Sequence, residues 1–257
     1  MIPLSNTELD QSRHKRPVVT YLLVAINSVV FIYTLLLGSE VTIFYYTFGV
    51  IPDEFTSSRA FERLLLFDGV RNIDTPFPTW VTLLSSMFIH GGFLHFGSNM
   101  LYLWVFGDNI ESHMGHLPYL AFYLIAGAIA GWTQIIITPL SQLPTIGASG
   151  AIAGILGAYF MIYPHSKIRT LVIYFFITVI QLPATLVLGV WIILQFWGGL
   201  GSVANASGGI AYWAHIGGFA VGVATVVAFR LLLRLPVWPT RRPPPPPPPV
   251  FWRGEWR

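Results

Sequence analysis

Residues 147–163 read Gly-Ala-Ser-Gly-Ala-Ile-Ala-Gly-Ile-Leu-Gly-Ala-Tyr-Phe-Met-Ile-Tyr, an uncharged run that stops at Pro164. As a helix this run is about 25 Å long at ~1.5 Å per residue, and the hydrocarbon core of a bilayer is about 30 Å thick. A membrane helix this short has its first residue recessed below one surface. That predicts a water-filled cavity at its N-terminus, since irregular backbone at that depth has to line water or protein. Five further apolar runs flank it, at 17–37, 93–111, 117–138, 183–201 and 210–233. Together they predict an all-α bundle of six membrane spans. Pro183 marks a helix start. Residues 168–182 are then expected at the interface or in partly buried irregular structure.

Composition supports this reading. Of 257 residues 54% are apolar and only 10% charged, against about 25% charged in soluble domains. So few charges cannot cover a water-facing surface. Cysteine is absent, which excludes disulfides and thiolate metal sites. The small net charge of +3 gives no reason to expect nucleic acid as a partner. The first apolar run is longer than a signal-peptide core and lacks a small-residue cleavage site, so it reads as a retained span.

Basic residues give direction. Arg13, Lys15 and Arg16 precede the first span, Lys167 and Arg169 follow the fourth, and Arg230, Arg234, Arg241 and Arg242 close the sixth. The loops 138–146 and 201–209 hold no Lys or Arg. Both termini are therefore expected to be cytosolic in a cell-membrane protein. The expected layout is a cytosolic segment over 1–16, a six-span domain over 17–233, and a cytosolic proline-rich tail over 234–257. The tail carries seven prolines at 243–249, a polyproline II spacer. Residues 38–92 form a long extracytoplasmic loop whose aromatic residues suit the membrane interface.

Ionisable and polar groups inside spans are costly and so point to function. Spans two, four and six all run inward from the outer face. His95 and Asn99 begin the second, Ser149 begins the fourth, and His215 lies early in the sixth. All four share one depth in the outer half of the membrane. Serine needs a base to act as a nucleophile at neutral pH, and histidine is the usual one. No Asp or Glu lies in the outer half of any span, so a Ser149–His215 dyad is expected rather than a triad. His95 and Asn99 share a helical face and are both able to donate to an oxyanion. The Ser149 backbone N–H sits at a helix N-terminus, where unpaired donors and the positive dipole end gather. Small residues at Gly147, Gly150 and Gly157 on one side and Gly218 and Gly222 on the other predict close helix packing next to the pair.

Three motifs carry a resemblance: His90-Gly-Gly-Phe-Leu-His95-Phe-Gly-Ser-Asn99, Gly147-Ala-Ser149-Gly150, and Ala214-His215-Ile-Gly217-Gly218. In identity, order and spacing they resemble the rhomboid proteases over residues 17–233. The resemblance implies Ser149 as nucleophile and His215 as general base. It implies an oxyanion hole of His95, Asn99 and the Ser149 N–H, with no metal or other cofactor. The implied substrates are single-span or other membrane proteins, cleaved near the outer end of a transmembrane helix, with membrane lipid as the surroundings. Two positions depart from the family pattern. Trp80 is followed by Val81 where many members have Trp-Arg, which bears on how the first loop is anchored. Ala153 stands where many members place an aromatic against the catalytic histidine, so either another ring supports His215 or its orientation is looser.

Three rival readings are weaker. A non-catalytic rhomboid-like protein that binds membrane clients would usually lack the serine or the histidine. A metal-dependent hydrolase using His90, His95 and His215 would need H-E-x-x-H or an outer-half carboxylate. A transporter would show inverted repeats, and none is visible.

Overall fold

A computed structural model describes residues 2–7, 16–57, 62–66, 69–73, 75–173, 177–204 and 209–239. Arg13, Lys15, Arg241, Arg242 and the prolines 243–249 lie outside these residues, as does part of the loop 201–209. Nine α-helices are described: α1 (Val18–Leu36), α2 (Val41–Phe48), α3 (Pro52–Ser57), α4 (Thr82–Ser85), α5 (Phe93–Met114), α6 (His116–Ile137), α7 (Ser149–Ile162), α8 (Ala184–Ala204) and α9 (Tyr212–Leu232). The long helices fall on the six apolar runs. Four of them, α1, α6, α8 and α9, are long and apolar enough to cross a membrane. Helix α5 matches them in length, but Asp108 and Glu111 sit in its last two turns. Helix α7 has only 14 residues, about 21 Å. Large apolar side chains point outward along α1 (Leu22, Val29, Leu36), α8 (Ile193, Trp197) and α9 (Phe229, Leu232). That is the surface of a membrane protein, which offers lipid what a soluble protein would bury.

The short helix is the centre of the molecule. Eleven of the 14 residues of α7 are buried, and its most extensive packing is against α9. The backbones approach because the facing residues lack side chains. A Cβ on Gly218 would strike the Gly150 carbonyl, one on Gly222 the Gly154 carbonyl, and one on Gly157 the Phe219 carbonyl. Helices α5 and α6 close the other sides.

The end of the bundle where α1 begins is tied by one carboxylate. Helix α1 starts after Pro17 with no capping side chain of its own, which leaves first-turn N–H groups without acceptors. Glu111 of α5, 1% exposed, fills that gap. Its two oxygens accept from Val19 N–H (2.8 Å), Thr20 N–H (2.7 Å) and Thr20 Oγ (2.7 Å). His116 Nδ1, in the first turn of α6, lies 2.6 Å from Glu111 Oε1. A negative group at the positive end of α1 is stabilising for the same electrostatic reason.

Among the described residues, two small sheets lie outside the all-α expectation. β1 (Ile2–Asn6), β4 (Lys167–Ile173) and β5 (Ile177–Pro183) form an antiparallel sheet in the order β1-β4-β5. Most of 168–182 is thus a regular hairpin, not irregular chain. The β-branched alternation of Ile168, Thr170 and Val172 suits a strand, and Ile168 and Thr170 are fully buried. β1 docks part of the N-terminal segment on the bundle, with Asn6 Nδ2 donating to the Val105 carbonyl. β2 (Arg63–Leu66) and β3 (Gly69–Asn72) make a second hairpin in the first loop.

The first loop is held without an arginine after Trp80, and Trp80 itself is exposed. Val50 and Thr145 exchange backbone hydrogen bonds at 3.0 and 2.7 Å. Thr56 Oγ donates to the Pro139 carbonyl at 2.7 Å, and the rings of Phe55 and Trp132 meet edge to face. These contacts tie the loop to α6 and to the segment that leads from it into α7.

Candidate active site

Ser149 is the first residue of α7, and the chain reaches it through Gly147 at φ +125°. An L side chain rarely adopts that angle. Space gives a second reason for glycine: a Cβ there would lie 2.7 Å from His95 Nε2 and 3.6 Å from Ser149 Oγ. The Gly147 N–H donates to the Ser86 carbonyl at 2.8 Å, which fixes the turn to the loop before α5.

Ser149 Oγ and His215 Nε2 are 2.8 Å apart, across the α7–α9 contact that the glycines allow. His95 of α5 lies beside Gly147, two residues before the serine. Its Nδ1 accepts the Gly91 N–H at 3.3 Å, so in the neutral ring the proton belongs on Nε2, the nitrogen that abuts Gly147. Asn99 Nδ2 donates to the His95 carbonyl at 2.8 Å and keeps a second N–H. His90 is fully buried, with its ring 5.1 Å from that of His95. Burial, reinforced by His95, lowers its pKa to about 3, which keeps it neutral.

A cavity of about 1410 Å³ brings these groups together; His95, Asn99, Ser149 and His215 all line it. Two further lining residues were not singled out from sequence. Gln195 Oε1 lies 2.8 Å from His215 Nδ1. The indole of Trp191 faces the imidazole at a centroid distance of 5.8 Å and 35° between planes. Both come from α8, one turn apart. The ring that Ala153 lacks is thus supplied by another helix. A signal for Gln195 did exist: it is a lone amide in an apolar span and, by the inferred direction, in its outer half. Among the described residues, no group of three His, Asp or Glu is placed to hold a metal ion.

A family model described as Rhomboid domain matches residues 78–231. The chain is 31% identical over 154 residues to Rhomboid protein 1, mitochondrial, of Saccharomyces cerevisiae, covering 56% of this chain and 40% of that one. It is 34% identical over 99 residues to RHOMBOID-like protein 5 of Arabidopsis thaliana, covering 38% and 29%. It is 35% identical over 97 residues to Rhomboid protease GluP of Bacillus subtilis, covering 38% and 18%. Each match spans less than half the length of the relative.

Proposed function

The chain belongs to the rhomboid family, and from that premise we propose that it is an intramembrane serine endopeptidase acting through Ser149 and His215. The observation that carries the proposal is the 2.8 Å contact between Ser149 Oγ and His215 Nε2 on the wall of a large cavity. A general base within hydrogen-bond reach of a hydroxyl is the geometric requirement for an activated serine.

The proposed reaction runs as acyl transfer. Ser149 Oγ attacks the scissile carbonyl while its proton passes to His215 Nε2. The negative charge moves to the carbonyl oxygen, which accepts from the Ser149 N–H, from His95 Nε2–H and from the free N–H of Asn99. Such donors act most strongly where water is scarce. As the C–N bond breaks, His215 returns the proton to the leaving amine. Water from the cavity then attacks the acyl-enzyme, with His215 again taking and returning a proton, and releases the acid.

The proposed setting is a six-span bundle in the cell membrane. Both termini are cytosolic and the cavity opens to the outer side, where the outer end of a substrate's transmembrane helix is presented. Cleavage of a single-span reporter by purified protein in detergent tests this. Wild type should cleave it, Ser149→Ala should not, and a chelator should change nothing. Cleavage that survives Ser149→Ala would sink the dyad. Reporter binding without cleavage by wild type would point instead to a client-binding protein without catalysis.

A further inference from the structure

The dyad leaves the far nitrogen of His215 unassigned. A neutral imidazole takes Ser149's proton at Nε2 only if its own proton sits on Nδ1. In many soluble serine hydrolases a buried carboxylate enforces that tautomer. Among the described residues, the cavity lining holds no Asp, Glu, Lys or Arg; its titratable groups are His95, Tyr102 and His215. What meets Nδ1 is the side-chain oxygen of Gln195 at 2.8 Å, and the Trp191 ring lies against the imidazole. Around His215, α7 presents Ser149, α5 presents His95, α6 presents Gln134, and α8 presents Gln195 and Trp191.

Building on the serine-protease reading above, we propose that Gln195 is the positioning residue of the pair. Its carbonyl accepts the Nδ1–H of His215 and holds Nε2 free to receive the proton of Ser149. Trp191 restrains ring rotation by packing, so the two α8 residues fix both the tautomer and the plane of the base. An amide does this without introducing a charge into the apolar bundle, where a carboxylate would carry a large desolvation cost. The amide also has a weakness. Turned by 180° it would donate to Nδ1 and drive the proton to Nε2, the unproductive tautomer. Only the acceptor face supports catalysis.

Two substitutions separate this role from simple packing. Gln195→Met keeps length and bulk but removes the acceptor. Gln195→Glu keeps an acceptor and adds charge, which favours the protonated imidazole. The direct readout is the tautomer of His215, from ¹⁵N shifts of histidine-labelled protein in detergent, with His215→Asn identifying the signal. Wild type should show the Nδ1–H form, Gln195→Met a mixture, and Gln195→Glu the Nδ1–H form again.

In turnover, Gln195→Met should lower kcat by about 10-fold or more with KM within about 2-fold, since general acid–base catalysis supplies about 10²–10⁴-fold. Gln195→Glu should recover kcat at high pH. Because the base must be neutral, its acid limb should move to higher pH. A Gln195→Met protein with an unchanged tautomer, or a Gln195→Glu protein with an unmoved acid limb, overturns the proposal. The tautomer is read without turnover. A wild type that fails to cleave therefore counts against the protease reading, while the shifts still decide the role of Gln195.

Discussion

At the residue scale, two small residues decide how the serine is presented. Gly147 is set by angle and by space, so Gly147→Ala should both strain the turn and push against His95. Misplacing a reacting group by ~1 Å can cost about 100-fold in rate. The expected outcome is a folded protein with kcat reduced at least about 10-fold in the reporter assay, with little change in its thermal midpoint. Ala153 has a different constraint. It is fully buried, and its Cβ would lie 3.2 Å from a Cβ on Gly218. An aromatic grafted there would meet the backbone of α9 before it reached His215. Ala153→Phe should therefore lower the unfolding midpoint in detergent rather than strengthen the site. Ser149, His215, His95 and Asn99 were legible in the sequence because polar groups at one depth in apolar spans stand out. Trp191 was not, since a tryptophan in a membrane helix reads as one more lipid-facing ring.

At the scale of elements, the α7–α9 contact and the cap on α1 carry the bundle. Gly218→Val inserts a branched side chain where the α7 backbone passes, and overpacking of this kind costs about 1–3 kcal/mol. The expectation is a lower unfolding midpoint together with lost cleavage, because the same contact brings Ser149 to His215. Removing the cap acts differently. Glu111→Ala leaves the Val19 and Thr20 N–H groups unpaired in the interior and leaves the Thr20 hydroxyl only its 3.4 Å contact with Tyr119 Oη, and hydrogen bonds to charged groups are worth about 1.5–3 kcal/mol each. Hydrogen exchange should rise at Val19 and Thr20 first. The helices themselves were readable from apolar run length and from Pro164 and Pro183. The hairpin over β4 and β5 was not, because the alternation of Ile168, Thr170 and Val172 is too short to separate a strand from interfacial chain. The cap was equally hidden. Nothing local links Glu111 to Thr20, and only folding brings them together.

At the scale of the whole molecule, direction across the membrane rests on where the basic residues fall. With no native cysteine, single introduced thiols report sidedness without background. Leu140→Cys, in the exposed segment before α7, should react with an impermeant maleimide from the outer side of sealed cells. Lys167→Cys, exposed at the start of β4, should react only after permeabilisation. The opposite pattern would invert the proposed topology.

The carboxylate of Glu111 has a mechanical meaning too. It binds the start of α1, the end of α5 and the start of α6 at a single point near one face, while the cavity spreads between helix ends at the other. A bundle stapled at its base by a carboxylate, and held at its rim by neutral contacts between the first loop and residues 139–145, bends most easily at the rim. Thermal fluctuation should grow with height above the staple, so the mouth of the cavity widens and narrows while its floor keeps its shape.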